Sequence, residues 1–282
     1  MNNKFRYLTC VLIIAIANIA QAKIIPTYSV QATTMQEMSA WVDKDTIVFI
    51  DIDDVLMIPK SLMFSKNSNP YGSFVKNMVA RGKKINHYNV SVAKWYQQRQ
   101  VKLVEKEWPD YIKELQAKGA LVYGVCKMPL QLVNIEEKRY FEATELGLLF
   151  NNKINNQGIF KIKKENEWFS SFNKGIIFTG PYSRSNTIFD FLKLIKKLPK
   201  KALFISSIED DLKRLNKKLR VFDMDYFNVQ YLGARNLPGS PDPEIVKFQQ
   251  KVLLNNGIWM EDDVAKDALD KHKAEQSTGA IK

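Results

Sequence analysis

Two aspartates stand two residues apart behind an apolar run, in Thr46-Ile47-Val48-Phe49-Ile50-Asp51-Ile52-Asp53-Asp54-Val55. Alternating residues of an extended chain point the same way, so Asp51 and Asp53 are able to face one site. Two like charges held that close are costly unless a cation or a shared proton relieves them. A Mg²⁺ ion with a phosphate group is the natural occupant, because Mg²⁺ prefers carboxylate and phosphate oxygens. The bland alternative is an acidic turn behind a core strand.

The elements around the pair have to place it. Thr46 to Ile50 reads as a buried parallel strand. In open α/β sheets ligands bind at the carboxyl ends of such strands. Further strands are expected at Ala120–Val125, Gly158–Ile162, Gly175–Phe178, Ala202–Ile205, Arg220–Phe222 and Phe227–Tyr231. The second and third of these are expected to pair as a hairpin at the sheet edge. Helices are expected over Thr34–Val42, Val90–Glu107, Asp110–Lys118, Asn134–Leu146, Asn186–Leu198, Ile208–Leu219 and Pro241–Gly257. Pro109, Gly119, Gly147 and Pro199 punctuate them. The alternation predicts an α/β fold with a doubly wound, mostly parallel sheet. The stretch between the first two strands is too long for a simple crossover, and predicts a helical cap over the strand ends. Tyr71, His87, Tyr88, Trp95 and Tyr96 could line a pocket there or form the core of the cap.

Residues 1–22 read as a secretory signal peptide. Lys4 and Arg6 precede the apolar Leu8–Ala17, and Ala20-Gln21-Ala22 fits a small-x-small cleavage site. The run is too short to span a membrane. The expected layout is therefore signal peptide 1–22, core domain 23–55 with 119–266, helical cap 56–118, and a polar tail 267–282 that frays after Lys266. The expected location is outside the cytoplasm, periplasmic or secreted. Cys126 would be the one cysteine left after cleavage, which excludes an intramolecular disulfide. No cysteine neighbours either of the 2 histidines, so there is no zinc pattern. The net charge of +12 invites a nucleic-acid reading. The lysines, however, are spread as on solvated helix faces, and no nucleic-acid motif appears. A small phosphorylated or anionic substrate suits that charge better.

The strand with Asp-x-Asp-x-Val resembles the first motif of the haloacid dehalogenase (HAD) superfamily. That resemblance implies a nucleophilic Asp51 that forms an aspartyl-phosphate, and an Asp53 that serves as general acid and base. Asn228–Leu232, Asp242–Gln249 and Asn256–Asp263 are similar to an exported bacterial branch of the superfamily, catalogued as domain of unknown function 2608. The likeness covers most of residues 40–266.

The other superfamily motifs are altered. Cys126 stands where a phosphate-holding Ser or Thr is expected. Gly180–Asn186 lacks the expected Lys, and Arg184 is the nearest cation. Ser206-Ser207 replaces the acidic pair whose first member is a direct Mg²⁺ ligand. Asp210 and Asp211 follow and match a second carboxylate of the longer variant, or serve as acids at a helix N-terminus. The resemblance thus implies a Mg²⁺-dependent phosphohydrolase with a degenerate site. Its metal would lie on Asp51, Asp53, Asp210 and Asp211, and its phosphate on Cys126 and Arg184. The alternative is a catalytically inactive binding protein on the same fold.

Overall fold

A computed structural model describes residues 24–64, 87–128, 134–165, 168–196 and 198–279. The signal peptide expected over 1–22, and Tyr71, lie outside the described residues, as do the side chains of His87 and Tyr88.

The chain has an α/β fold built on one mostly parallel sheet of eight described strands. Their spatial order is β1 (Ile24–Thr27), β10 (Asp225–Tyr231), β9 (Lys201–Ser206), β2 (Thr46–Asp51), β5 (Leu121–Cys126), β8 (Ile176–Phe178), β7 (Trp168–Asn173) and β6 (Ile159–Glu165). Pairing is parallel from β1 to β8 and antiparallel from β8 to β6.

Both faces of the central strands are covered, which is why they read as unbroken apolar runs. Val48, Ile50, Val122, Leu203 and Ile205 pack in one layer with helices α1 (Thr33–Trp41), α3 (Trp108–Ala117) and α4 (Ile135–Glu145). Ile47, Phe49, Tyr123, Val125 and Phe204 pack in the other with α5 (Arg184–Leu194) and α6 (Glu209–Leu219). Phe49, Tyr123, Phe172 and Phe191 form a ring cluster there, with Tyr123 and Phe172 edge to face at 5.4 Å. Truncating such a buried ring to alanine would cost roughly 3–5 kcal/mol.

The strand order fixes where a ligand can bind. From β2 the chain moves outward to β5, passes to the edge strand β6 and works back inward through β7 to β8. It returns past β2 to β9 and continues outward to β10. The order reverses at β2, so the carboxyl ends of β2 and β9 flank the crevice of a topological switch point. Asp51 closes β2 and Ser206 closes β9.

Residues 56–118 hold more than helix. β3 (Met57–Pro59) pairs antiparallel with β4 (Val101–Leu103), and α2 (His87–Gln98) precedes β4. The helix expected over Val90–Glu107 therefore stops at Gln98. Its last helix, α3, starts with Pro109 in its first turn and lies in the main sheet layer, where Ile112 and Leu115 are buried. The chain leaves α3 through Gly119 at φ +85°, where a Cβ would come within 2.9 Å of Lys44 Cβ. Only glycine fits both demands.

Three further expectations are corrected, and one strand is added to them. The predicted hairpin of Gly158–Ile162 with Gly175–Phe178 does not form, because β7 lies between them and pairs with each. β1 was not read from the sequence; its four residues gain their order from β10. Arg220–Phe222 is a turn, with Phe222 N–H donating to Leu219 O at 2.9 Å. Beyond Lys266 the chain continues as helix α8 (Asp262–Gly279), packed beside α7 (Pro243–Asn256). Among the described residues no helix is long and apolar enough to cross a membrane.

Candidate functional site

Asp51 is the last residue of a strand buried along its whole length, so its carboxylate sits inside the protein with no exposed surface. Ser206 Oγ donates to its Oδ2, and Arg184 Nε lies 2.9 Å from its Oδ1. The second contact is an ion pair without hydrogen-bond alignment, and neither atom makes another hydrogen bond. Burial pushes the Asp51 carboxyl up to about 7, against the pull of Arg184 and Ser206.

Arg184 is the first residue of α5. The helix is capped by Ser183 Oγ, which accepts from Asn186 N–H at 3.2 Å. The loop before it is tied by Lys127, whose Nζ donates to Gly180 O at 3.0 Å and Tyr182 O at 2.6 Å. Burial and the charge of Arg184 pull the Lys127 ammonium below its ordinary range. Arg184 Nη1 also donates to Asp211 Oδ2 at 3.3 Å. Burial opposes its charge, but Asp51 and Asp211 more than compensate and raise it above the ordinary arginine value.

Beyond β2 the backbone folds back sharply. Leu56 and Met57 N–H both donate to Ile52 O, and Asp54 adopts φ 66°. This turn places Asp53 against α4. Arg139 Nη2 donates to Asp53 Oδ1, and Arg139 Nε donates to Cys126 Sγ at 3.5 Å. Cys126 Sγ lies 3.7 Å from Asp53 Oδ2. Arg139 Nη1 donates to Glu142 Oε2 at 2.6 Å, and Glu142 also accepts from Arg99 Nε at 3.2 Å. The Arg99 guanidinium stacks over Trp95 at 4.6 Å and Tyr96 at 4.3 Å. Burial favours neutral Asp53, but the charges of Arg139 and Arg99 outweigh it and hold the carboxyl below its usual range. Burial pushes the Cys126 thiol up to about 12.

Each expected site residue now has a place. Asp51, Arg184 and Asp211 meet in one cluster, and Asp53 and Cys126 meet in a second. Asp210 is exposed in the first turn of α6, and its side chain forms no ion pair with Arg184 or Arg139. Trp95 and Tyr96 serve as the stacking platform for Arg99. Arg139, Glu142 and Arg99 were not singled out in the sequence. Their only local signal was Arg139 three residues before Glu142, the spacing of neighbours on a helix.

These residues do not suit the implied Mg²⁺. Mg²⁺ demands near-octahedral oxygen ligation. Asp51 Oδ2 accepts from Ser206 and its Oδ1 faces the Arg184 charge, Asp53 is held by Arg139, and Asp211 accepts from Arg184. A divalent ion about 4 Å from the guanidinium would meet repulsion of roughly 8 kcal/mol at an effective dielectric of about 20. Among the described residues no group of three His, Cys, Asp or Glu is placed to hold a metal ion.

The chain belongs to the family described as protein of unknown function (DUF2608), which matches residues 31–266. The DUF2608 match takes in both clusters, from Asp51 to Asp211. The chain is also 36% identical over 269 residues to uncharacterized protein RP296 of Rickettsia prowazekii (strain Madrid E), covering 94% of this chain and 98% of that relative. The likeness to that relative therefore takes in nearly the whole of both chains.

Proposed function

We propose that this protein is an exported, HAD-like binding protein, whose strand-end site holds a small phosphorylated or anionic ligand without hydrolysing it. The observation that carries this reading is the Asp53–Arg139 contact. A general acid needs a proton to give and a pKa near the working pH. Asp53 faces a buried guanidinium that favours its ionised form. Asp51, the position of the nucleophile, is meanwhile pushed toward protonation. The two carboxylates are thus biased in the opposite sense to the one aspartyl-phosphate chemistry requires. Export is inferred from residues 1–22 alone.

A second reading, a phosphohydrolase working through Asp51, draws on one observation. Asp51 Oδ1 makes no hydrogen bond, so one nucleophilic lone pair stays available beside a cation.

One experiment separates the two. Residues 23–282 and the Asp51→Asn variant are incubated with a broad panel of phosphorylated metabolites, with Mg²⁺ or with chelator. The binding reading expects equal background phosphate release from both proteins, and thermal stabilisation by at least one compound. Turnover by the wild type that Asp51→Asn abolishes would sink it.

A further inference from the structure

Three elements converge to fix a positive charge beside Asp51. The Arg184 guanidinium comes from the N-terminus of α5, its Nε 2.9 Å from Asp51 Oδ1. Its Nη1 is held 3.3 Å from Asp211 Oδ2 on α6. Lys127, just past the end of β5, ties down the loop that precedes it. From the other side Ser206 Oγ accepts from Ile208 N–H at 3.1 Å, which leaves its proton for Asp51 Oδ2. A helix N-terminus disfavours a cation, so Arg184 owes its place to the two carboxylates rather than to its own helix.

We infer that Arg184 and Ser206 form one coupled device that fills, with the protein's own atoms, the place and charge of a divalent cation beside Asp51. The inference rests on the reading that Asp51 occupies a HAD-type position. A carboxylate at 206 in place of the serine would share Arg184 with Asp51 and demand a further cation only where Arg184 is gone, because a metal beside Arg184 would be repelled. Together the two residues offset the two charges of a divalent ion: neutral Ser206 leaves one negative charge fewer to balance, and Arg184 supplies one positive charge. Arg184 is a positioning residue here. It orients Asp51 and Asp211 and leaves the site independent of metal.

The test uses uptake of Mn²⁺, followed by the loss of the free-ion paramagnetic resonance signal on titration with residues 23–282. Wild type should leave the signal unchanged at equimolar protein. Ser206→Asp alone should do the same, because the added carboxylate pairs with Arg184. The double variant Ser206→Asp/Arg184→Met should take up one equivalent, and adding Asp51→Asn should abolish that uptake. One equivalent bound by wild type and lost in Asp51→Asn would overturn the inference, as would a double variant that keeps its native circular dichroism yet binds no Mn²⁺. Should the double variant not fold, the wild-type titration still decides. Phosphate release in chelator would defeat the binding reading and leave this inference standing. Release that requires Mg²⁺ would defeat both.

Discussion

Arg139 grips the carboxylate of Asp53 from a side chain that is itself 1% exposed. Its other nitrogens donate to Glu142 and Cys126, so one planar fork serves three partners on α4, β5 and the turn after β2. Asp53 is half-buried, but Glu142 is buried, and removing one partner of a buried pair costs more than the pair contributes, because a charge is left stranded.

Arg139→Ala should therefore destabilise the protein by roughly 3–5 kcal/mol. Arg139→Lys should recover little of that, since an ammonium cannot span the same three acceptors. Urea unfolding followed by tryptophan fluorescence measures both. A lysine variant as stable as wild type would show that charge alone, and not the fork, holds Asp53.

Asp51 predicts a pH dependence with a definite sign. Its carboxyl rises from 3.8 in the unfolded chain to about 7 when folded. The folded state then binds more protons between those values, so stability is fully present below about pH 4 and is lost as pH climbs through about 7. The shift sets an upper limit of about 4 kcal/mol on the loss. Asp51→Asn should flatten this slope and make the protein more stable than wild type at pH 8, with little difference at pH 4. Calorimetric melting across that range checks it, and parallel curves for the two proteins would refute the assignment.

How much of this was legible beforehand follows from the range of the interactions involved. β2, β5 and β9 were readable because burial on both faces leaves local apolar runs. Asp51 was readable because it closes one of them. α7 was marked at both ends, by Asp242 and Pro243 at its start and Gly257 in the left-handed region at its end. β1 and β7 carry no comparable local signal and exist through their neighbours. The same holds for the charges. Nothing near residue 139 in the sequence announces that its guanidinium reaches Asp53, a contact made only when α4 docks over the strand ends. Ser206 looked like a missing acid from the sequence alone. Its hydroxyl turns out to donate to Asp51.

Cys126 offers a direct check on how closed the second cluster is. The thiol is fully buried and pushed up to about 12, chiefly by desolvation. The thiolate is the reactive form. In residues 23–282 it should resist alkylation at pH 8 in the native state and react at a normal rate in denaturant, as followed by mass spectrometry. Rapid native modification would mean that the Asp53–Arg139 side of the site opens far more often than this packing allows.

The last prediction concerns what holds α2, and with it Arg99, beside Glu142. Asp262 at the start of α8 accepts from Ser61 Oγ at 2.6 Å, Leu62 N–H at 2.8 Å and Gln249 Nε2 at 2.9 Å. Next to it Glu261 accepts from Gln100 N–H and from Trp259 Nε1, each at 2.8 Å. The segment between α7 and α8 thus straps residues 61–62 and 98–100 to the C-terminal helices. Asp262→Ala strands the Leu62 amide and frees Ser61, a local cost of about 1–3 kcal/mol. Hydrogen exchange at residues 57–64 should accelerate by roughly 5- to 150-fold, the same energy expressed as an opening constant. Exchange in β2 and β9 should stay near its wild-type rate, because their protection comes from the central sheet. Uniform acceleration across the sheet would mean that the strap is part of the global fold, and that Arg99 cannot be released from Glu142 without unfolding the sheet.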